Sequence, residues 1–169
     1  DRIFLSEKID GAYRGSTYRE IHLQVQSFAA GLQQLGLQPG DRVALIAEGC
    51  NRWVISEFGI FYTRGISVPL SIKLQEDSDL AFRITHSGCR MAVVSGTQAP
   101  KLRRIGRQLP SLDTIILLDG TPQDADKEIS FAEVMDRGCK RLCSDPQTVE
   151  RSRTVLRESD PACICYTSG

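Results

Sequence analysis

From Thr17 onward the apolar residues are spaced for a helix. In STYREIHLQVQSFAAGLQQLG, Ile21, Val25, Phe28, Leu32 and Leu35 step by four, three, four and three, which sets them on one face. Thr17 and Glu20 have the spacing of a capping box, in which each side chain satisfies the other's backbone N–H. Gly36 stands where a left-handed C-terminal residue is wanted. After the turn Gln38-Pro39-Gly40-Asp41 the period changes. Residues 43–47, VALIA, are apolar on both faces, as suits an interior parallel strand covered by helices on each side.

The alternation then continues. Asn51 is placed to cap a helix running to about Thr63, and residues 66–70 read as a strand. Asp77 or Ser78 opens a helix that stops at Gly88, residues 91–94 form a strand, 97–108 a helix and 114–118 a strand. The strands begin at Val43, Ile66, Met91 and Thr114, a nearly constant unit length without residue-by-residue repetition. That is the rhythm of βα units, and right-handed crossovers make the sheet parallel with helices on both faces. The predicted fold class is α/β, a mostly parallel sheet flanked by helices. Beyond Leu118, DGTPQDADKE reads as a polar loop, and Ser130 with Glu133 makes a second capping box for a helix to about Leu142. Asp145-Pro146 offers an N-cap followed by proline for a short further helix. Asp160-Pro161 ends it before a last apolar strand, residues 162–166. No linker divides residues 1–169, so one unit is expected.

Composition narrows the function classes. The 21 Lys and Arg balance the 21 Asp and Glu, so no net field recruits nucleic acid or an anionic membrane. No apolar run approaches the roughly 18 residues of a membrane span. The chain opens on Asp1 without a charged-then-apolar leader, so an upstream segment is expected to have been removed. Six cysteines could pair, yet a domain of this size does not need staples. Cys163 and Cys165 flank Ile164 in the last strand and face the same side, while Cys139 and Cys143 are one helical turn apart. A zinc site would want a second ligand pair, and the only histidines, His22 and His86, are far away in sequence. Reduced, mostly buried thiols in a cytoplasmic protein are the expectation.

Few residues are placed for chemistry. Ser168 has no G-x-S-x-G elbow around it. His22 and His86 read as solvated or capping histidines, and Lys101, Arg103, Arg104 and Arg107 as a solvated basic face. Trp53, Phe58, Phe61 and Tyr62 read as core packing. Glu76, Asp77 and Asp79 complement a helix dipole. Thr167-Ser168-Gly169 is different: a turn after a strand presents N–H groups and hydroxyls at the carboxyl end of a sheet, where phosphate oxygens find donors.

TYREIHLQVQSFAAGLQQLGLQPGDRVALI, NRWVISEFGIFYTRGISVPL, HSGCRMAVVSG and the closing ICYTSG occur in an order and at spacings that resemble the adenylate-forming superfamily. That superfamily holds acyl-CoA synthetases, nonribosomal peptide adenylation domains and firefly luciferase. The resemblance runs from about Thr17 to Gly169. It implies the N-terminal part of the large domain of an enzyme that activates a carboxylic acid with ATP and magnesium, then passes the acyl group to a thiol, usually coenzyme A. Thr167, Ser168 and Gly169 match the start of the loop that grips the ATP phosphates, and Tyr166 reads as a structural residue.

The rest of the loop, Thr-Thr-Gly-x-Pro-Lys-Gly, is not in this chain. Neither are the adenine-binding segment, the Thr-Glu that holds magnesium, the ribose-binding Asp and the C-terminal lysine. The resemblance therefore implies a fragment, inactive alone, whose partners are the remainder of its own large domain and a C-terminal domain. SVPLSIKL after the Trp53 region is more similar to long-chain fatty acyl-CoA synthetases than to amino-acid adenylation domains, the alternative within the superfamily. An alternative of another class is a stand-alone, non-catalytic α/β module that binds a nucleotide or a protein partner. The parent is expected in the cytoplasm, with peripheral membrane association open to it.

Overall fold

The computed structural model describes residues 2–167. It opens with an antiparallel hairpin, β1 (Ile3–Ile9) and β2 (Ala12–Thr17). Helix α1 (Tyr18–Gln34) follows, and then β3 (Arg42–Ile46), α2 (Asn51–Tyr62), β4 (Ile66–Pro69), α3 (Asp77–Ser87) and β5 (Cys89–Val94). Helix α4 (Ala99–Ile105) runs into a 3-10 turn (Gly106–Gln108), and β6 (Thr114–Leu117), β7 (Glu128–Ser130), α5 (Phe131–Ser144) and α6 (Thr148–Thr154) complete the order. The five strands from β3 to β7 form one wholly parallel sheet in the order β4-β3-β5-β6-β7.

The apolar alternation along these strands builds two cores. Ala44, Ile46, Ala92, Val94, Ile115 and Leu117 face α3 and α4. Val43, Leu45, Met91, Val93 and Ile116 face α1, α2 and α5, where Phe28 stacks on Phe131 with ring centroids 5.0 Å apart. The Thr17 capping box forms with both halves present. Ser130 supplies one half: its hydroxyl accepts the Glu133 N–H at 3.1 Å. Cys50 rather than Asn51 occupies the N-cap of α2, and Gly36 and Gly88 take the left-handed conformation past α1 and α3.

Four expectations are corrected. The hairpin was missed although Asp10-Gly11, with φ of 50° and 82°, is a type I′ turn signal. Its strands alternate too weakly to announce themselves, being exposed over most of their length. Strand β7 lies at the end of what reads as polar loop and is held by pairing with β6. Residues 162–166 are not a full strand. They make one parallel bridge, Cys163 to Ser67, in which Ser67 N–H donates to Ala162 O and Ile164 N–H to Ser67 O, both at 2.9 Å. This places them on the outer edge of β4, with sheet on one side only. For that reason Cys163 and Cys165 are exposed; with Cys139 and Cys143 exposed on α5, Cys50 half-buried and Cys89 buried, the thiols are not mostly buried. The fourth correction concerns α2, whose buried positions are Ile55, Ser56, Gly59 and Ile60. Phe58 is exposed and Phe61 half-buried, whereas Trp53 and Tyr62, also half-buried, pack against the core as expected.

Candidate functional site

In an open α/β sheet, ligands bind outside the carboxyl ends of the strands where the strand order reverses. Here the chain steps from β3 outward to β4, then returns past β3 to β5, so the reversal lies between β3 and β5. The loops that leave those strands meet there. Glu48, after β3, accepts hydrogen bonds from Thr97 Oγ1 at 2.9 Å and Gln98 Nε2 at 2.7 Å, both from the loop after β5. The Ser95 hydroxyl and the Gln98 amide, in that order, hold the Glu48 carboxyl down at about 2, well below its ordinary 4.5. Gly96 N–H donates to Asp119 Oδ1 at 2.5 Å, joining the loop after β6. Arg52, in the first turn of α2, donates to Leu118 O and lies 5.4 Å over the Phe131 ring. Around these groups is a cavity of about 270 Å³, lined also by Glu7 and Cys50.

No residue of this crevice was singled out from the sequence. The available signal was the run of small residues and carboxylates just past each strand, as in Glu48-Gly49, Ser95-Gly96-Thr97 and Asp119-Gly120. Each carboxylate already has a donor. The Glu48 and Asp119 network staples three loops at the carboxyl edge of the sheet.

The predicted phosphate-binding stretch lies on the other side of β3, beside β4. Ile164 and Tyr166 pack onto the α3–α4 core. The Tyr166 hydroxyl donates to Arg83 O at 3.1 Å and sits 2.9 Å from His86 Nδ1. Its one proton being committed to Arg83, His86 Nδ1–H is the donor of the second bond. The Arg83 guanidinium lies 5.5 Å over the same ring. Tyr166 is thus a structural anchor, as its strand-end position suggested. Cys163 and Cys165 point to the opposite side with their sulfurs 3.4 Å apart. Burial first, then the Cys165 thiol and the Glu57 carboxylate, push the Cys163 thiol up to about 11. Thr167 is exposed just past the anchor. Ser168 and Gly169 lie outside the described residues.

The basic helix is only in part a solvated face: Arg104 and Arg107 are exposed, whereas Lys101 and Arg103 are half-buried. Lys101 Nζ donates to the carbonyls of Ile72 and Leu74 at 2.8 and 2.9 Å. Arg103 grips Glu128, and Arg104 grips Asp77, so Asp77 serves a guanidinium as well as the helix dipole. His22 lies 3.4 Å from the Tyr62 hydroxyl. Among the described residues no three His, Cys, Asp or Glu side chains converge as a metal cradle, and no helix is long and apolar enough to cross a membrane.

The sequence profile of the AMP-binding enzymes matches residues 1–169, the whole chain. The chain belongs to the AMP-binding enzyme family. Similar proteins include a long-chain-fatty-acid–CoA ligase of Mycobacterium bovis, 25% identical over 170 residues that cover 100% of this chain and 27% of that protein. A crotonobetaine/carnitine–CoA ligase of Salmonella typhimurium is 28% identical over 164 residues, covering 96% of this chain and 30% of that protein. The chain thus spans less than a third of the length of these relatives. Among solved structures, the coronafacic acid ligase of Pectobacterium brasiliense superposes with a TM-score of 0.76 at 18% identity, over 90% of this chain and 29% of that one. An anthranilate–CoA ligase in complex with anthranoyl-AMP gives 0.73 at 22% identity, over 92% and 28%. These two share the fold.

Proposed function

We propose that this chain is the leading part of an ATP-dependent acid–thiol ligase that acts on long-chain fatty acids in the cytoplasm and hands the acyl group to coenzyme A. The observation that carries this reading is the end-to-end match to the AMP-binding enzymes, combined with CoA ligases among the relatives that align over the full chain. In this reading residues 1–169 are the N-terminal α/β portion of the large domain, and its remainder and a C-terminal domain complete the enzyme.

Thr167, Ser168 and Gly169 would begin the loop that holds the ATP phosphates. The exposed Thr167 hydroxyl is compatible with an approaching phosphate oxygen. ATP, when bound, supplies an α-phosphate that a carboxylate can attack. The work of this chain is positional: the bridge to Ser67 and the anchored Tyr166 set where the loop starts.

ATP–pyrophosphate exchange tests the reading. The product of the complete reading frame should exchange in the presence of a long-chain fatty acid and form its CoA thioester, whereas the 169-residue chain should not exchange. Exchange of the complete protein with amino acids only would remove the fatty-acid assignment. Exchange by the 169-residue chain, abolished by Thr167→Ala, would show that the fragment is an enzyme by itself.

A further inference from the structure

We propose that Cys163 and Cys165 form a two-sulfur chelate for a thiophilic trivalent centre, specifically a monosubstituted trivalent arsenical. The two sulfurs stand 3.4 Å apart on one side of an extended segment, and both residues are exposed. Their placement is held from three directions. Ile164, between them, packs into the core on the opposite side. The backbone on either side of Cys163 is hydrogen-bonded to Ser67. Just beyond Cys165, Tyr166 is fixed by Arg83 and His86. The thiols therefore meet a ligand already juxtaposed, which lowers the ordering cost of gripping it with both.

The geometry favours a bridging atom over a direct sulfur–sulfur bond. Residues two apart on an extended chain have Cα atoms about 6.6–6.8 Å apart with roughly parallel Cβ vectors. A disulfide wants Cβ atoms at about 3.5–4.5 Å, so closing one here would pull the segment out of its extended form and off Ser67. An arsenic atom bonded to both sulfurs keeps them unbonded to each other, near the separation they already have. Zinc is poorly served: it takes three or four protein ligands. The nearby Glu57 carboxylate already accepts the Ser67 hydroxyl at 3.3 Å. An arsenical with one organic group needs two sulfurs only.

The reaction balances without redox change. An arsenoxide, R–As=O, meets two thiols; two S–H bonds break, two As–S bonds form, and the oxygen leaves with both protons as water. The product is neutral. This suits a pair in which the Cys163 thiolate is disfavoured first by burial and then by the Cys165 thiol and the Glu57 carboxylate. The inference stands on this local geometry and is independent of the proposed ligase activity.

Phenylarsine oxide is the probe. Added at one equivalent to the reduced 169-residue chain, it should give one adduct by intact mass spectrometry, retained in excess glutathione and removed by 2,3-dimercaptopropanol. Loss of either partner turns a two-point grip into a one-point one, so Cys163→Ser and Cys165→Ser should each weaken retention about 10²–10⁴-fold. Cys139 and Cys143, one turn apart on α5 and also exposed, form the competing pair. Cys139 points to Ser27 Oγ at 3.4 Å, and the double variant Cys139→Ser/Cys143→Ser should retain the adduct fully. Far-UV circular dichroism checks that the serine variants fold. An adduct lost in that double variant, or one equally labile to glutathione in all variants, overturns the proposal. So does air oxidation to a Cys163–Cys165 disulfide in place of an adduct.

Discussion

Glu128 brings a carboxylate into the protein with 1% of its side chain exposed. It is satisfied on every side: Arg103 donates through Nε at 2.6 Å and Nη2 at 2.8 Å, and Gln123 N–H at 2.7 Å. The Arg103 hydrogen bonds are the first cause of its lowered pKa. Removing one partner of a buried pair leaves a charge without compensation. Arg103→Ala should therefore lower unfolding stability by about 3–5 kcal/mol, measured by urea denaturation. An effect below about 1 kcal/mol would mean that water solvates the pair, as at surface ion pairs. Glu48 acts at the other edge of the sheet and titrates differently. Its folded pKa is depressed from 4.5 to about 2, so its contribution is complete above 4.5 and is lost as pH falls towards 2. Glu48→Gln removes that proton linkage. Its melting temperature should fall less steeply than the parent's across this window, and parallel acid limbs would contradict the assignment.

At the scale of elements, α1 and α5 cross closely because glycines face each other. A Cβ on Gly138 would land on the Ser27 carbonyl oxygen, and one on Gly31 on the Val134 carbonyl oxygen. Alanine in a helix interior is worth about 1 kcal/mol over glycine. Overpacking costs about 1–3 kcal/mol or more, and here the obstacle is backbone. Gly138→Ala should therefore destabilise, with a lower urea midpoint at unchanged slope; a raised midpoint would mean that the crossing relaxes freely. The edge segment 162–166 depends on one anchor. Tyr166→Ala removes the bonds to Arg83 and His86 together. A loss of one or two kcal/mol corresponds to about a 5–30-fold change in a local equilibrium. The Ile164 amide, which donates to Ser67 O, should exchange its hydrogen faster by that factor while amides of β3 and β5 are unchanged.

For the molecule as a whole, ATP should not raise the melting temperature of the 169-residue chain at millimolar concentration. A ligand at 100 times its Kd would add about 2.7 kcal/mol, an easily measured shift, so a flat melting temperature would place the grip on ATP outside this chain.

The α/β class, the parallel sense of the sheet, the Thr17 capping box and the positions of β3 to β6 were legible in the sequence. Each rests on local information: the period of apolar residues, the caps, and a connection length that admits one crossover hand. The family was legible in SVPL and ICYTSG for the same reason, as short contiguous stretches. The crevice around Glu48, the pairing of Arg103 with Glu128 and the facing glycines Gly31 and Gly138 were not. They join residues 23 or more positions apart, and which segments become neighbours is settled by sheet order and helix packing. The strand order β4-β3-β5-β6-β7 also put residues 162–166 on an outer edge. The alternation of Cys163, Ile164 and Cys165 told correctly which side chains share a face. Only the tertiary structure decided that one face meets a core and the other meets solvent, because burial depends on what packs opposite and not on the period of the strand itself.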